Sequence, residues 1–171
     1  CKEHQPGWDH PESPRRFDAV MQGLEAAGLL ARLTRRPCRQ ATPEQLALAH
    51  TEAYVELVRR EVERGEEMLS TGDTALCADS YAAACYAAGA VIAGVDAVLD
   101  GGMPAAFCVT RPPGHHASAD VGMGFCLFNN VAIATQRLVE EGRRVLIFDF
   151  DGHLGDGTSD IFYHTDQVLY W

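Results

Sequence analysis

The chain has 171 residues, enough for one domain with a sizeable core, and its 47% hydrophobic and 22% charged residues exclude a disordered, collagenous or disulfide-knotted polypeptide. Fourteen basic residues against 24 acidic ones give a net charge of −10, so no direct nucleic-acid partner is expected. The longest uncharged, mostly apolar run, 82–95, has 14 residues, which is short for a bilayer and suits a buried helix, so no membrane partner is expected either. The opening residues are polar and acidic and show no secretory-signal pattern. The six cysteines, at 1, 38, 77, 85, 108 and 126, form no C-x-x-C pair and read as reduced residues of a cytoplasmic protein. The chain starts at Cys1 rather than Met and stops at Trp171 directly after an apolar run, so both ends read as cut.

One partial domain is expected, helical over 1–101 and built on a parallel sheet over 102–171. In chain order, Ser13-Pro14 reads as N-cap and first helical residue, with Phe17, Val20, Met21 and Leu24 on one face and Gly28 near the stop. Thr42-Pro43-Glu44-Gln45 carries a capping box, and Tyr54, Leu57 and Val58 continue that helix to about Gly65. Residues 66–79 show no period and read as a loop. Asp79 or Ser80 then opens a long helix to about Leu99, closed by Gly101-Gly102.

The second half changes rhythm. A short apolar strand at 105–109 leads into a Pro-Pro-Gly loop. A helix over 130–141 ends at Gly142. A strand over 145–150 is apolar enough to be buried on both faces, 152–158 is a turn, and 167–171 is another strand. This order predicts a parallel sheet with right-handed crossovers, and ligands there bind beyond the carboxyl ends of the strands. Two polar clusters fall at those ends, 111–116 and 149–153.

Within Asp149-Phe150-Asp151-Gly152-His153, alternation along an extended chain brings Asp149, Asp151 and His153 to one side while Phe148 and Phe150 point into packing. Carboxylate and imidazole together suit a divalent metal such as zinc; the plainer alternative is a strand end whose aspartates cap the next helix. From 149 to 171 there are five aspartates and no Lys or Arg, which also favours a cation. In Arg111-Pro112-Pro113-Gly114-His115-His116 a stiff turn holds two adjacent imidazoles, suited to general acid–base work near neutral pH, although such pairs also occur on solvated loops. Gly122-Met123-Gly124-Phe125 could line a narrow cleft, with Phe125 otherwise a core residue.

Taken together, 111–117, Gly124-Phe125-Cys126-Leu127-Phe128-Asn129-Asn130-Val131-Ala132, 149–153 and Gly155-Asp156-Gly157-Thr158 resemble the zinc-dependent histone deacetylase family, which includes acetylpolyamine amidohydrolases and acetoin-utilisation-type proteins. His10-Pro11-Glu12 and Ser80-Tyr81 fit the same resemblance. It implies a three-layer α/β fold of the arginase/deacetylase type and hydrolysis of acetyl amides on lysine or polyamine side chains. It implies that Asp151 and His153 are metal ligands and that His115 and His116 are the catalytic pair, oriented by Asp149 and Asp156. Asp73 matches the carboxylate that holds the substrate backbone, and Gly124 and Phe125 line the acyl-lysine channel. A structural potassium is implied at Asp149 with the backbone of Asp151 and His153, and a second at backbone oxygens near Phe162, Thr165 and Val168.

Leu154 departs from the second histidine common after His153, which implies altered packing. The family's third metal ligand, an aspartate, and its transition-state tyrosine lie beyond Trp171. The 171-residue chain is therefore expected to be inactive alone, and to associate with another chain or with a complementing C-terminal segment. Two alternatives stand beside this reading. One is a non-catalytic deacetylase-like subunit. The other is a haloacid-dehalogenase-type phosphatase, whose nucleophile motif resembles 145–152, with Asp149 attacking phosphorus and magnesium bound. A structural zinc site from Cys108, His115, His116 and Cys126 fits no usual spacing.

Overall fold

The computed structural model describes residues 2–7 and 9–171; Cys1, one of the six cysteines read as reduced, lies outside them. The described order is α1 (Arg15–Ala26), a 3-10 turn (Leu30–Arg32), α2 (Pro43–Leu46), α3 (Glu52–Arg64), α4 (Ser80–Leu99), α5 (Asn130–Glu140), β1 (Val145–Ile147), α6 (Asp156–Phe162) and β2 (Val168–Tyr170). The other five cysteines are free thiols.

Local signals account for most boundaries. At α2 both arms of the capping box form: Gln45 N–H donates to Thr42 Oγ1 and Thr42 N–H to Gln45 Oε1. The helix does not continue to Gly65 as expected. It stops at Leu46, and Thr51 caps a new helix by accepting from Tyr54 N–H. That break lets Thr51 N–H donate to Ala119 O, which ties α3 to the segment after the histidine pair. Gly65, at φ 75°, closes α3. Helix α1 starts one residue later than the Ser13 cap implies, with Pro14 at the N-cap, and buries none of its residues; Val20 is exposed.

By length and composition α4 could cross a membrane, unlike the shorter run read from the sequence. In the described structure its alanines 83, 84, 87 and 88 are buried, and α5 packs against it. Leu46, Val58, Ile92, Leu127, Phe128 and Ile133 fill the core between α2, α3, α4 and α5. The rings of His50, Tyr54 and Tyr81 surround Phe128 at 5.4–6.1 Å.

The two described strands pair in parallel, with Val145 opposite Val168 and Ile147 opposite Tyr170. Backbone bonds carry the ladder further: Trp171 N–H donates to Ile147 O and Asp149 N–H to Trp171 O, at 3.0 and 2.8 Å. Two expectations fail here. Residues 105–109 form no strand, because no described strand lies beside them, and Phe107 is exposed. The 145–150 strand is not buried on both faces. Ile147 is buried, but Leu146, Phe148 and Phe150 are exposed; the Phe148 ring lies against those of Phe150 and Trp171. The 152–158 turn is shorter than expected, because Asp156 already opens α6.

Candidate active site

The histidine pair sits on the loop between Arg111 and Ala117. Its entrance is fixed by a buried ion pair. Arg111 Nε and Nη2 donate to the two carboxylate oxygens of Glu12, each at 2.6 Å, and Nη2 also donates to His4 O. The Arg111–Pro112 peptide is cis. Further on, Asn130 Nδ2 donates to Pro112 O, and Thr158 N–H donates to His115 O at 3.0 Å.

Both rings have a carboxylate at Nδ1. His115 Nδ1 lies 2.9 Å from Asp149 Oδ2, and His116 Nδ1 lies 2.6 Å from Asp156 Oδ1. An ionised carboxylate only accepts, so Nδ1 carries the proton in each ring and Nε2 is left to exchange one. Both carboxylates are ionised at neutral pH. Burial pushes Asp149 up, but bonds from His115, Asp151 N–H and Tyr170 outweigh it and hold its pKa below the ordinary carboxylate value. Burial likewise pushes Asp156 up, but His116 and backbone N–H groups, that of Gly157 among them, together outweigh it and lower its pKa. The two rings are 4.2 Å apart.

Asp151 and His153 do come together, though not by strand alternation. The strand ends at Ile147, and two successive Asx turns carry the chain onward: Asp149 Oδ1 accepts from Asp151 N–H at 3.1 Å, and Asp151 Oδ1 from His153 N–H at 2.9 Å. The second turn leaves His153 Nδ1 3.0 Å from Asp151 Oδ1, and the His153 ring 6.0 Å from that of His116. The His153 bonds lower the Asp151 pKa, the backbone one most. Two donors on one tetrahedral zinc, each roughly 2.0 Å from the ion, stand about 3.3 Å apart. The 3.0 Å separation of Asp151 and His153 is close to this, so the pair fits as part of a metal site. Among the described residues no group of three or more His, Cys, Asp or Glu side chains is arranged to hold a metal, and this includes Cys108 and Cys126 with the histidine pair.

Gly124 and Phe125 form the adjoining wall. Both are left-handed, with φ 56° and 68°, and for a bulky residue such as Phe125 this is a rare conformation that its surroundings must enforce. Gly124 N–H donates to Asp73 Oδ1 at 2.8 Å, Cys126 N–H donates to Met123 O, and the edge of His10 packs on the Phe125 ring at 4.5 Å. A Cβ on Gly124 would strike the His116 ring. Asp73 thus stands beside Gly124, next to His116. Phe162, Thr165 and Val168 lie along the turn from α6 into β2, where Thr165 N–H already donates to Phe162 O.

A family profile described as "Histone deacetylase domain" matches residues 10–171. The chain belongs to the histone deacetylase family. It is 37% identical to "Histone deacetylase 5" of Arabidopsis thaliana over all of this chain and 28% of that protein. It is 36% identical to a "Probable deacetylase" of Archaeoglobus fulgidus, over 98% of this chain and 47% of that one. It is 37% identical to the human "Polyamine deacetylase HDAC10", over 96% of this chain and 26% of that one. The crystal structure of the HDA15 HD domain superposes with a TM-score of 0.91 at 34% identity, covering 99% of this chain and 49% of that chain, so the fold is the expected arginase/deacetylase one. The chain thus spans half or less of these deacetylases. The phosphatase alternative falls with this match.

Tyr170 is the site residue that sequence reasoning missed. Its hydroxyl donates to the same Asp149 oxygen that faces His115, and accepts from Gly155 N–H, each at 2.9 Å. The available signal was the alternation of 168–171, which puts Val168 and Tyr170 on one face.

Proposed function

We propose that the protein carrying this chain is a zinc-dependent amidohydrolase that removes acetyl groups from lysine or polyamine side chains. The observation that carries this reading is the adjacent histidine pair, each ring backed by its own ionised aspartate, next to the Asp151–His153 donor pair. Asp151 and His153 would supply two zinc ligands; a catalytic zinc normally takes three from protein, so one more would come from outside these 171 residues. When bound, zinc supplies a Lewis acid that polarises the amide carbonyl and lowers the pKa of water.

The chain's own residues do the rest. Asp149 and Asp156 fix the Nδ1 protons, so the two Nε2 atoms take up a proton and deliver one to the departing amine. Gly124 and Phe125 confine the acyl-bearing side chain, and Asp73 would accept from the substrate backbone. The products are acetate and a free amine. Potassium, in the same reading, would be held by Asp149 with the backbone of Asp151 and His153, and a second by backbone oxygens near Phe162, Thr165 and Val168.

The test is acetate release by the whole protein from an acetyl-lysine peptide and from an N-acetylpolyamine. At least one substrate should turn over, and His116→Ala should lower turnover by about 10²-fold or more with metal content unchanged. A zinc-loaded protein that releases no acetate from either would contradict the reading. His116→Ala at full turnover would remove His116 from the mechanism.

A further inference from the structure

We infer that Asn129 is a positioning residue for the His115–His116 pair, holding the loop that carries it through a directed chain of hydrogen bonds. The inference rests on the deacetylase reading above. Asn129 is fully buried, and every polar group of its side chain is used. Oδ1 accepts from Ala132 N–H at 3.0 Å and caps α5. Nδ2 donates to Ala117 O, directly after the histidine pair, and to Thr158 Oγ1, each at 3.0 Å. Its own N–H donates to Nε2 of buried His50 at 2.9 Å, which anchors Asn129 from the α3 side.

Direction is what makes this more than a helix cap. A hydroxyl that accepts from Asn129 has its own proton free to donate, and Thr158 Oγ1 points that proton at His115 O, 3.4 Å away; Thr158 N–H donates to the same carbonyl at 3.0 Å. The order Asn129 to Thr158 to His115 O therefore runs one way, and the second arm of the same amide holds Ala117 O. The backbone is held on both sides of His116. Packing leaves it no slack, since a Cβ on Gly157 would strike the Ala117 carbonyl. Ring positions that must hold to well under an ångström for proton transfer are thus set by a residue that touches neither ring.

Aspartate at 129 separates the two roles. It still accepts from Ala132 N–H, and is as good a cap as asparagine. It cannot donate to Ala117 O, and it draws the Thr158 proton to itself and away from His115 O. Thr158→Val removes the link while leaving the cap untouched, and Thr158→Ser keeps the hydroxyl.

The experiment uses the whole, metal-loaded protein. Asn129→Asp should lower kcat on an acetyl-lysine peptide by about 10²-fold with KM within about threefold, Thr158→Val should lower kcat by about tenfold, and Thr158→Ser should restore it. Amide hydrogen exchange gives a readout independent of turnover. In Asn129→Asp the Thr158 N–H should exchange about tenfold faster or more while the capped Ala132 N–H is unchanged. Wild-type kcat and wild-type Thr158 exchange in Asn129→Asp would overturn the inference. So would Thr158 and Ala132 accelerating together, which is simple destabilisation. If the wild-type protein hydrolyses neither an acetyl-lysine peptide nor an N-acetylpolyamine, the deacetylase reading fails, and the exchange rates alone support or overturn the positioning role.

Discussion

His4 and His50 are buried and neutral, and each should make the fold acid-sensitive in a definite pH window. Burial lowers the pKa of His4 from 6.5 to about 4, against the pull of Glu12. It lowers His50 from 6.5 to about 4 as well, and the His50 Nε2 that accepts from Asn129 N–H must be unprotonated to do so. Between those values the unfolded chain takes up protons that the folded chain refuses. Stability is therefore full above about pH 6.5, falls as pH drops toward 4, and is flat below for these two groups. The size is on the order of 3 kcal/mol per histidine at most. Asp149, Asp151 and Asp156, with lowered pKa values, act separately, their share being lost only as pH falls below the ordinary carboxylate range. Urea midpoints of the whole protein at pH 7 and 5 check this: the wild type should lose stability over the interval and His50→Gln should lose less. Equal losses would mean that His50 is not the acid-sensitive group. The dyads themselves were legible through the family resemblance, which pairs Asp149 with His115 and Asp156 with His116, as the geometry does. Tyr170 and the Glu12–Arg111 pair were not, because their partners are 21 and 99 positions away and only the packed fold brings them together.

Among the elements, α4 is held closest to its neighbours at Gly89. Ala41 N–H donates to Cys85 O at 2.9 Å, so the 39–41 segment lies directly on the helix, and a Cβ at 89 would collide with the Arg39 carbonyl and stand 2.8 Å from Ala41 N. Gly23, on exposed α1, has nothing within 4 Å of an added Cβ. Gly89→Ala should destabilise by about 1–3 kcal/mol through overpacking. Gly23→Ala should stabilise by about 0.5–1 kcal/mol through helix propensity. Thermal or urea unfolding of the two variants would show opposite signs; equal shifts would contradict the close approach at α4. The sequence carried α4, α5 and the α2 capping box through local patterns, and a parallel sheet holding 145–150 and 167–171 through the order of elements. It did not carry the break at Thr51, which depends on Ala119. Nor did it carry the Asx turns from Asp149 and Asp151, which take over where the ladder bonds end at Asp149.

Across the whole molecule, the described chain brings the His115–Asp149 and His116–Asp156 pairs together beside Asp151 and His153. Its sheet leaves Leu146, Phe148, Phe150, Leu169 and Trp171 exposed. Such a face, next to unpaired strand edges, invites association with other chain, so the 171-residue polypeptide alone should be aggregation-prone. The central claim is that Asp151 and His153 hold a zinc that only the whole protein completes. Zinc titration tests it most directly, on the whole protein, on its Asp151→Ala variant and on the 171-residue chain alone. The account predicts about one tightly held zinc in the whole protein, none retained by the variant, and much weaker binding without acetyl-lysine hydrolysis by the isolated chain. Tight zinc in Asp151→Ala, or a soluble monomer of the isolated chain with one tight zinc and measurable turnover, would contradict it.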